Sequence, residues 1–410
     1  MRVLYFHQYF STPEGAAGTR SYEVAQVLVA RGHQVTMVCG SGARLRIPKL
    51  KVVGGCMLGS LAGIDVIQYD LPYSNRDSFL KRATTFMRFA IRSVGVAFSA
   101  EYDLIYASST PLTASIPGVV AKLARRGKPF VFEVRDLWPE LPKAMGVIRN
   151  PLVLAAMSVL EWLSYRCADF CIGLAPGIVD GIRRVGPRGL EVEMIPNSCD
   201  LELFHPTVQP VSMPGIGDED FVAIFTGAHG IANGLGAVLD AAAELKKRGR
   251  GDIRFVFIGD GNRKDELVEC AHSSGLDNCV FLNPVPKSEL PRFLARASVG
   301  LMILDNIPAF YNGTSPNKFF DYISSGLPVL TNYPGWIAEI VDEHVCGVSV
   351  EPGDASSFAD AMERLADSSE DLGVMGRNAR CLAESKFNRK ELCERLVMSL
   401  ERIVYGAESR

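Results

Sequence analysis

The chain has 410 residues, of which 48% are hydrophobic and 22% charged, so it can bury two ordinary cores and lacks the polar bias of a disordered protein. It opens on an apolar run without a cationic leader and has no uninterrupted apolar stretch of roughly 18 residues, so we expect neither a secretory signal nor a spanning helix. The net charge is −3, but residues 1–200 hold 23 basic and 16 acidic residues. Residues 1–200 are therefore expected to bind an anionic partner; the alternative is a difference in charge between the two halves that arose by chance.

Short runs rich in β-branched and aromatic residues alternate with longer helical patterns along the chain, which predicts parallel sheets with crossover helices. The predicted strands of the first half are Val3–Phe6, Val35–Cys39, Ile64–Tyr69, Leu104–Ala107, Phe130–Val134, Phe170–Leu174 and Val192–Ile195. The alternation pauses from Pro196 to Asp220, which we interpret as an interdomain linker. The second series is Phe221–Thr226, Arg254–Ile258, Val280–Leu282, Gly300–Leu304 and Val329–Thr331.

This pattern predicts an α/β protein with two Rossmann-like domains that face each other across a cleft. We place the first domain at residues 1–200, the second at 201–385 and a terminal helix at 386–410. Ligands of such sheets bind beyond the carboxyl ends of the strands, so the loops that follow the strands are where functional residues are expected.

Ten cysteines are scattered through apolar segments without a C-x-x-C pair, which favours reduced, mostly buried thiols. Cys167 and Cys171 are four residues apart, but no histidine or second cysteine pair accompanies them, so we do not expect a metal site there. The acidic triplet 218–220 lies in the predicted linker and is interpreted as solvated charge. We expect no metal, no cofactor and no nucleic-acid partner.

The loop after the first strand is rich in small residues, including Gly15 and Gly18, and it runs into a helix. Small residues let the backbone approach an anionic ligand, and the free N–H groups of a helix N-terminus favour phosphate. A simple turn is the alternative, because the spacing is not G-x-G-x-x-G.

The segment that follows the predicted strand Phe130–Val134 carries the strongest functional signal in the first half of the chain. It contains Arg135, Asp136, Trp138 and Glu140. A Trp face can stack on a sugar ring, and carboxylate and guanidinium groups bind hydroxyls or phosphates. We predict Arg135 and Asp136 as catalytic and Trp138 and Glu140 as acceptor-binding; a salt bridge with a packing Trp is the alternative.

Two loops of the second half repeat the arrangement of a strand, glycines and a helix. Gly227, His229 and Gly230 follow the strand Phe221–Thr226, and Arg263 and Lys264 follow a glycine pair after the next strand. We predict all five as donor-binding residues, because such loops bind phosphate and the two cations add charge.

The segment 314–322 is the most informative part of the chain. Ser315 and a proline form a helix start, Asn317 and Lys318 lie in the first turn, and Asp321 follows on the same helical face. An anion site thus lies beside a carboxylate that can accept two vicinal hydroxyls, which is what a nucleoside diphosphate needs.

As an ordered set, these motifs resemble glycosyltransferase family 4. The set comprises the Gly-rich first loop, Arg135 to Glu140, Ile195-Pro196-Asn197 with Phe204 and Pro206, Gly259-Asp260-Gly261, and Ser315 to Lys318 through Gly326 to Val329. The branch it most resembles builds bacterial O-antigen, capsule or exopolysaccharide repeat units on a lipid carrier. The resemblance implies a GT-B fold, a nucleotide-sugar donor held mainly by the C-terminal domain, and retention at the anomeric carbon. It also implies that the last helix, near Lys390 to Tyr405, returns to the first domain.

The chain departs from the family pattern at several positions. Two glutamates at a fixed spacing are common in the family; here the second matches Asp321 and the first falls on Gly313. The Arg and Lys that usually follow the strand Phe221–Thr226 are replaced near Ala228 and Asn233, and a His of the first domain corresponds to Arg135. The diphosphate cations are therefore expected from Lys318, Arg263 and Lys264.

Residues 78–100 contain no acidic and four basic residues. At about 3.6 residues per turn, one helical face carries Lys81, Thr85, Arg88 and Arg92, and the opposite face carries Ala83, Phe86, Met87, Ala90, Val94 and Ala97. Two interpretations stay open. The helix lies on an anionic membrane surface, helped by Arg44, Arg46, Lys49 and Lys51, or it is a core helix with a basic solvent face.

The residues and the resemblance together predict a retaining, metal-independent hexosyl- or N-acetylhexosaminyltransferase. Its expected donor is a UDP-sugar and its expected acceptor a lipid-linked or oligosaccharide glycan. We expect a cytoplasmic protein, peripheral at the inner face of the cell membrane. The alternatives are a nucleotide-sugar epimerase or a catalytically silent sugar-binding subunit on the same fold.

Overall fold

The computed structural model describes residues 1–15, 18–41, 51–53, 55–72, 77–124 and 127–408. The chain forms two compact units. The first comprises Met1–Pro196, Gly313–Ser315 and Lys390–Arg410, and the second comprises Asn197–Asn312 and Pro316–Arg389.

The first unit is built on a nine-stranded sheet in the order β3-β4-β5-β2-β1-β6-β7-β8-β9. Its strands are β1 (Arg2–Phe6), β2 (Gln34–Gly40), β3 (Lys51–Val53), β4 (Cys56–Leu61), β5 (Ile64–Tyr69), β6 (Leu104–Ser108), β7 (Phe130–Val134), β8 (Phe170–Gly173) and β9 (Glu191–Met194). Neighbouring strands from β5 through β9 pair in parallel, as predicted, and β1 lies between β2 and β6.

The expectation of a purely parallel sheet is wrong at one edge. Strands β3 and β4 form an antiparallel hairpin, and β4 also pairs antiparallel with β5. All three residues of β3 are exposed, and β4 has no fully buried residue. These strands therefore lack the apolar run by which the buried strands were predicted.

Seven α-helices and one 3-10 helix surround this sheet in the described residues. They are α1 (Arg20–Ala30), α2 (Phe79–Ser99), the 3-10 helix Leu112–Ser115, α3 (Ile116–Ala124), α4 (Glu140–Ala144), α5 (Pro151–Cys167), α6 (Pro176–Val185) and, at the chain end, α15 (Arg389–Glu408). Helix α5 begins where the Asn150 side chain accepts hydrogen bonds from the Leu152 and Val153 N–H groups. Helix α15 packs on the first unit, and its Glu401 contacts Arg31 at 2.7 Å.

Helix α2 turns its predicted apolar face inward. Phe86, Ala90 and Ala97 are buried, whereas Arg88 and Arg92 are exposed. The predicted apolar face therefore packs largely against the protein, as in the core-helix interpretation, and binding of this helix to a membrane surface stays a prediction. Met87, assigned to the same face, is instead exposed. The helper residues Arg44, Arg46 and Lys49 lie outside the described residues.

The second unit is built on a six-stranded parallel sheet in the order β12-β11-β10-β13-β14-β15. Its strands are β10 (Phe221–Thr226), β11 (Ile253–Ile258), β12 (Cys279–Leu282), β13 (Val299–Met302), β14 (Val329–Thr331) and β15 (Gly347–Ser349). Its helices are α7 (Gly236–Lys247), α8 (Lys264–Ser273), α9 (Leu290–Leu294), α10 (Pro308–Tyr311), α11 (Asn317–Ser324), α12 (Trp336–Glu343), α13 (Ala355–Asp367) and α14 (Ser369–Lys386), with a 3-10 turn at Ile231–Asn233. The core lies between this sheet and α7, α8 and α13.

The segment interpreted as a linker is part of the second unit from Asn197 onward. Phe204 and Met213 are buried, and the Arg296 guanidinium donates to the carbonyls of Gly217, Asp218 and Asp220. The polar composition of this segment therefore reflects a surface-packed connection rather than a free linker. Within the described residues, no cluster of three or more His, Cys, Asp or Glu side chains could hold a metal ion.

The ten cysteines are all free, and most are buried or half-buried. Burial alone raises the pKa of Cys39 and of Cys171 far above the usual thiol range. Among the helices of the described residues, none is both long enough and apolar enough to cross a bilayer.

Candidate active site

The first unit brings several polar groups together at the carboxyl ends of its central strands. Because β1, β6 and β7 are neighbours, the loops that follow them lie at one edge of the sheet. The Arg135 N–H donates to the Ser109 hydroxyl at 2.9 Å, and the Arg135 guanidinium lies 3.2 Å from Nε2 of His7. The Thr110 hydroxyl donates to the Asp136 carboxylate at 2.6 Å. The predicted pair is therefore held by three residues that sequence reasoning did not identify.

His7 is the least expected member of this group. It follows β1 directly and is buried, and its Nδ1 lies 2.6 Å from the Ser21 hydroxyl. Burial and the adjacent Arg135 guanidinium lower the pKa of His7 to about 3, so the ring is neutral at physiological pH. A guanidinium can only donate, so Nε2 accepts from Arg135 and the proton resides on Nδ1, which donates to Ser21.

A buried ion pair lies beneath this group. The Glu133 carboxylate accepts from Nε of Arg20 at 2.8 Å, from the Tyr106 hydroxyl at 2.7 Å and from the Ser108 hydroxyl at 2.6 Å. Burial would raise the pKa of Glu133, but Arg20, Arg135 and the two hydroxyl hydrogen bonds together outweigh burial and hold that pKa at about 2. Arg20 also donates to the Ile195 carbonyl at 2.9 Å, so it joins α1, β7 and the end of the first unit.

The Gly15–Gly18 loop precedes α1, and its residues 16 and 17 lie outside the described residues. The Gly15 N–H donates to the Thr12 carbonyl at 2.9 Å, and a Cβ on Gly15 would collide with the Ser11 hydroxyl. Gly15 therefore lies in a tight turn with little room for a side chain, which agrees with the simple turn that is the alternative from the sequence. The role of Gly15 and Gly18 in donor binding stays a prediction.

Trp138 and Glu140 have different environments. Trp138 is half-buried, and Glu140 is exposed and paired with Arg184. Glu140 thus forms a salt bridge with a residue outside this motif, and Trp138 is neither fully buried nor fully exposed. Their acceptor-binding roles stay predictions.

In the second unit, two glycine loops pack against each other at the carboxyl ends of β10 and β11. Gly227 has φ +130° and Gly259 has φ +157°, and a Cβ on Gly259 would collide with the Gly227 carbonyl. The loops are joined by the His229 N–H, which donates to the Asp260 carbonyl at 3.0 Å. Glycine is thus required where the two backbones approach.

The His229 side chain is fully buried among three phenylalanines. Its ring centroid lies 6.0 Å from that of Phe225, 6.4 Å from that of Phe257 and 6.3 Å from that of Phe281. Burial, together with nearby Lys264, lowers the pKa of His229 to about 4. No described residue forms a hydrogen bond with either ring nitrogen, which is costly for a buried imidazole.

Lys318 is the cation best placed beside these loops. Its ammonium donates to the Asn233 side-chain oxygen at 2.6 Å and lies 4.0 Å from the centroid of the Phe225 ring. A Cβ on Gly227 would come within 3.6 Å of Cε of Lys318, so the bare glycine backbone borders the ammonium. Burial lowers the pKa of Lys318 to about 7.

The other two predicted cations are engaged elsewhere. The Lys264 ammonium donates to the Gly259 and Leu282 carbonyls, each at 2.8 Å. Arg263 pairs with Glu266 at 2.5 Å. Lys264 therefore ties β11 to β12 and Arg263 is paired with a carboxylate, whereas the acceptor of Lys318 among the described residues is a neutral amide oxygen.

A cavity of about 340 Å³ opens beside the β10 loop and is confined to the second unit. Its lining includes Gly230, Arg263, Asp305, Asn306 and Asn332. These residues follow β10, β11, β13 and β14, so the cavity lies at the carboxyl edge of the sheet. Asp305 and Asn306 were not identified from the sequence.

Residues 15–198 match the family model described as "Glycosyl transferase 4-like domain", and residues 220–368 match the one described as "Glycosyl transferases group 1". The chain belongs to glycosyltransferase family 4. The resemblance inferred from the ordered motifs is thereby confirmed.

Three known proteins illustrate this relationship. The amylovoran biosynthesis glycosyltransferase AmsK of Erwinia amylovora is 28% identical over 173 residues, which span 42% of this chain and 42% of AmsK. The match therefore spans less than half the length of that curated relative. Sucrose-phosphate synthase of Thermosynechococcus elongatus is similar in structure with a TM-score of 0.75 at 16% identity, over 99% of each chain. Anabaena HepE, solved with UDP and glucose, has a TM-score of 0.69 at 19% identity over 98% of this chain and 99% of its own. These structural likenesses confirm the predicted α/β GT-B fold.

In this family 4 glycosyltransferase, Asp321 is the acidic residue expected to bind the ribose. Its carboxylate has a protein partner. Its Oδ1 and Oδ2 lie 3.0 Å and 3.4 Å from Nζ of Lys287, and both side chains are buried. The Lys287 ammonium also lies 5.3 Å from the Phe204 ring centroid. Sequence reasoning placed Lys318 and Asp321 on one helical face, but the structure gives them separate partners.

Helix α11 begins at Asn317, after Pro316 in an extended conformation. Ser315 lies just before it and groups with the first unit, together with Gly313 and Thr314. Asn317 and Lys318 therefore occupy the first turn of the helix, as the Ser-Pro start predicted. The ligand-binding roles of Ser315 and Asn317 stay predictions.

Proposed function

We propose that this glycosyltransferase transfers a hexosyl or N-acetylhexosaminyl group from a UDP-sugar to a lipid-linked oligosaccharide acceptor of a surface glycan. The donor half rests chiefly on one observation, the half-buried Lys318 ammonium beside the Gly227 backbone at the carboxyl end of β10. HepE, solved with UDP and glucose, supports a uridine nucleotide, and AmsK, named for amylovoran biosynthesis, supports a polysaccharide acceptor.

In this proposal the donor diphosphate lies against the Gly227 loop and the first turn of α11. An ammonium that is partly shielded from water and donates to one amide oxygen among the described residues gains from a diphosphate that carries two negative charges. The unpartnered ring nitrogens of His229 border the same loop and can be satisfied when ligand or water enters.

Asp321 binds the ribose hydroxyls in this proposal, and it shares its carboxylate with Lys287. The longer contact, 3.4 Å to Oδ2, leaves that oxygen the weaker-bound of the two and the better acceptor for a hydroxyl. Lys287 then acts as a positioning residue, because it fixes the orientation of the carboxylate.

The reaction needs few protein groups. The bond between the anomeric carbon and the diphosphate oxygen breaks while the acceptor oxygen attacks the same face, and the leaving diphosphate takes the acceptor proton. The configuration is thereby retained, and no carboxylate nucleophile or metal ion takes part. Arg135 and Asp136 orient the acceptor hydroxyl, with Arg135 itself held by His7 and Ser109.

A thermal-shift panel of UDP-, GDP- and dTDP-sugars tests the donor half. We expect the UDP compounds to raise the melting temperature most, and Lys318→Gln to abolish that rise. The matched control is Lys246→Gln, which removes an exposed lysine that pairs with Asp277 elsewhere in the second unit. Equal stabilisation of wild type and Lys318→Gln by the same donor would refute this placement of the diphosphate.

Assays without and with an acceptor distinguish the proposed function from its alternatives. Donor consumption without any acceptor, with a new sugar nucleotide as product, would indicate an epimerase. Tight nucleotide binding without turnover on any glycolipid extract would indicate a silent sugar-binding subunit.

A further inference from the structure

Gln8 is a buried polar side chain at the carboxyl edge of the first sheet. It lies two residues beyond the end of β1 and is 3% exposed. Neither its amide nitrogen nor its amide oxygen forms a hydrogen bond with a described residue. Roughly 90% or more of the buried polar groups in folded proteins have such a partner, and a buried amide without one costs stability. Folded proteins carry such a cost mainly at functional sites, where a ligand completes the hydrogen bonds.

The position of Gln8 places it beside the loop that holds Arg135. The Gln8 carbonyl accepts from the Gly40 N–H at 3.0 Å, so its backbone is held against the end of β2. On the other side, Phe6 pairs with Ala107, and Gln8 and Ser109 each lie two residues beyond that pair. The Ser109 hydroxyl accepts from the Arg135 N–H at 2.9 Å. Gln8 and the predicted catalytic residue are therefore neighbours at one edge of the sheet.

A second glutamine nearby shows what a structural amide looks like in this fold. Gln68 of β5 is also 3% exposed, but its amide nitrogen donates to the Gly40 carbonyl at 3.4 Å. Gly40 itself leaves space beside Gln8, because a Cβ at position 40 would lie 3.6 Å from Cγ of Gln8. The two glutamines thus share the same burial and the same neighbour, and among the described residues they differ in whether the amide has a partner.

The chemistry of a primary amide indicates its ligand. The nitrogen donates and the oxygen accepts, so both atoms are satisfied together only by a ligand that offers an acceptor and a donor. A phosphate or a carboxylate only accepts, and would leave the amide oxygen unpaired. Sugar hydroxyls both donate and accept, and two vicinal hydroxyls match the two amide atoms.

We propose that Gln8 selects the acceptor sugar through hydrogen bonds from its amide to two vicinal hydroxyls of that sugar. This inference rests on the proposed function, in which Arg135 and Asp136 orient the hydroxyl that is glycosylated. The amide is shielded from solvent in the free protein, so the acceptor displaces a neighbouring side chain to reach it, and recognition is an induced-fit step. A sugar that lacks one of the two hydroxyls leaves an amide atom unpaired and is used poorly.

The first test compares melting temperatures without ligand. Gln8→Met keeps the length of the side chain and removes both polar atoms, so this variant should melt about 2–4 °C above wild type. The matched control Gln68→Met should melt no higher than wild type, because the amide that it removes has a protein partner. A Gln8→Met protein that melts below wild type and keeps the wild-type acceptor kinetics would show that the amide serves the fold, and would overturn the proposal.

The second test measures acceptor use with octyl glycosides of glucose, galactose and N-acetylglucosamine and with their monodeoxy analogues. In wild type, two monodeoxy analogues of the preferred glycoside should have a kcat/KM about 10-fold below that of the parent. In Gln8→Met the kcat/KM of the parent should fall about 30-fold, and the same analogues should be used as well as the parent. The KM of the UDP-sugar should be unchanged, and Gln68→Met should keep the wild-type preference.

Failure of the proposed function would look different. A wild-type protein that transfers sugar to no glycoside and to no glycolipid would refute the function. Binding of the same glycosides, followed by thermal shift, would still compare each parent with its deoxy analogues in wild type and in Gln8→Met. A preference that Gln8→Met loses would support the assignment of Gln8 to a sugar site. Binding of no glycoside by wild type, or a preference that Gln8→Met keeps, would overturn it.

Discussion

The pH dependence of nucleotide binding should reveal Lys318 directly. In the free protein, burial lowers the pKa of this lysine from 10.5 to about 7, so half of the molecules carry a neutral amine near pH 7. A bound diphosphate favours the ammonium and returns the pKa toward its ordinary value. The affinity for UDP should therefore follow the fraction of protein with a protonated Lys318.

The magnitude follows from that fraction. The protonated fraction falls from about one half at pH 7 to about 1% at pH 9, so the dissociation constant of UDP should rise about 50-fold over this interval. Near pH 8, binding should take up about 0.9 proton per UDP. The terminal phosphate of UDP has a pKa of about 6, below this pH interval, so its titration contributes little to the change in affinity.

Isothermal calorimetry in two buffers of different ionisation enthalpy measures both quantities. Lys318→Arg is the matched variant, because its guanidinium stays charged throughout the interval and should give a pH-independent dissociation constant without proton uptake. An affinity for UDP that is flat between pH 7 and 9 in wild type would refute the reasoning. An equal slope in Lys318→Arg would assign the titration to another group.

Three further predictions concern buried charges. Asp321→Ala should lower the free energy of unfolding, measured by urea titration, by about 3–5 kcal/mol, because the substitution leaves Lys287 buried and unpaired. The double variant Asp321→Leu/Lys287→Met should recover most of that loss. An Asp321→Ala protein as stable as wild type would show that the pair contributes nothing to stability. Burial raises the pKa of Glu161 to about 7, so ionisation of this carboxyl lowers the free energy of unfolding as pH rises from about 4.5 to 7. Glu161→Gln should therefore raise the free energy of unfolding by about 2 kcal/mol at pH 8 and leave it unchanged at pH 4. An equal increase at both pH values would exclude ionisation as the cause. Glu133 has a pKa of about 2, so its ion pair with Arg20 stabilises the fold fully above about pH 5, and this stabilisation is lost as pH falls toward 2. In Arg20→Met/Glu133→Leu the free energy of unfolding should therefore fall less steeply with decreasing pH than in wild type. An unchanged slope at acid pH would contradict this prediction.

The buried strands could be predicted from the sequence because a strand covered on both faces is an apolar run. Phe130–Val134 and Phe221–Thr226 have the predicted bounds. The strand Lys51–Val53 is exposed and only three residues long, so its pairing with β4 depends on tertiary contacts that local composition does not encode.

The candidate site could be predicted only in part. Arg135 was found because it follows a buried strand, and His7 follows β1 in the same way, so the same rule would have found it. The pairing of Lys287 with Asp321 had no such signal. Lys287 lies in a loop after β12, and only the fold brings the two charges within 3.0 Å.

The most direct test of the central claim is a transfer assay with the whole protein. Radiolabelled UDP-sugars are incubated with vesicles that carry extracted glycolipids, and the product is analysed for label and for anomeric configuration. We expect one UDP-sugar to label the glycolipid with its anomeric configuration retained. Arg135→Ala and Asp136→Ala should lose most turnover but keep the wild-type melting temperature. Labelled product with inverted configuration, or full turnover in both variants, would contradict the account.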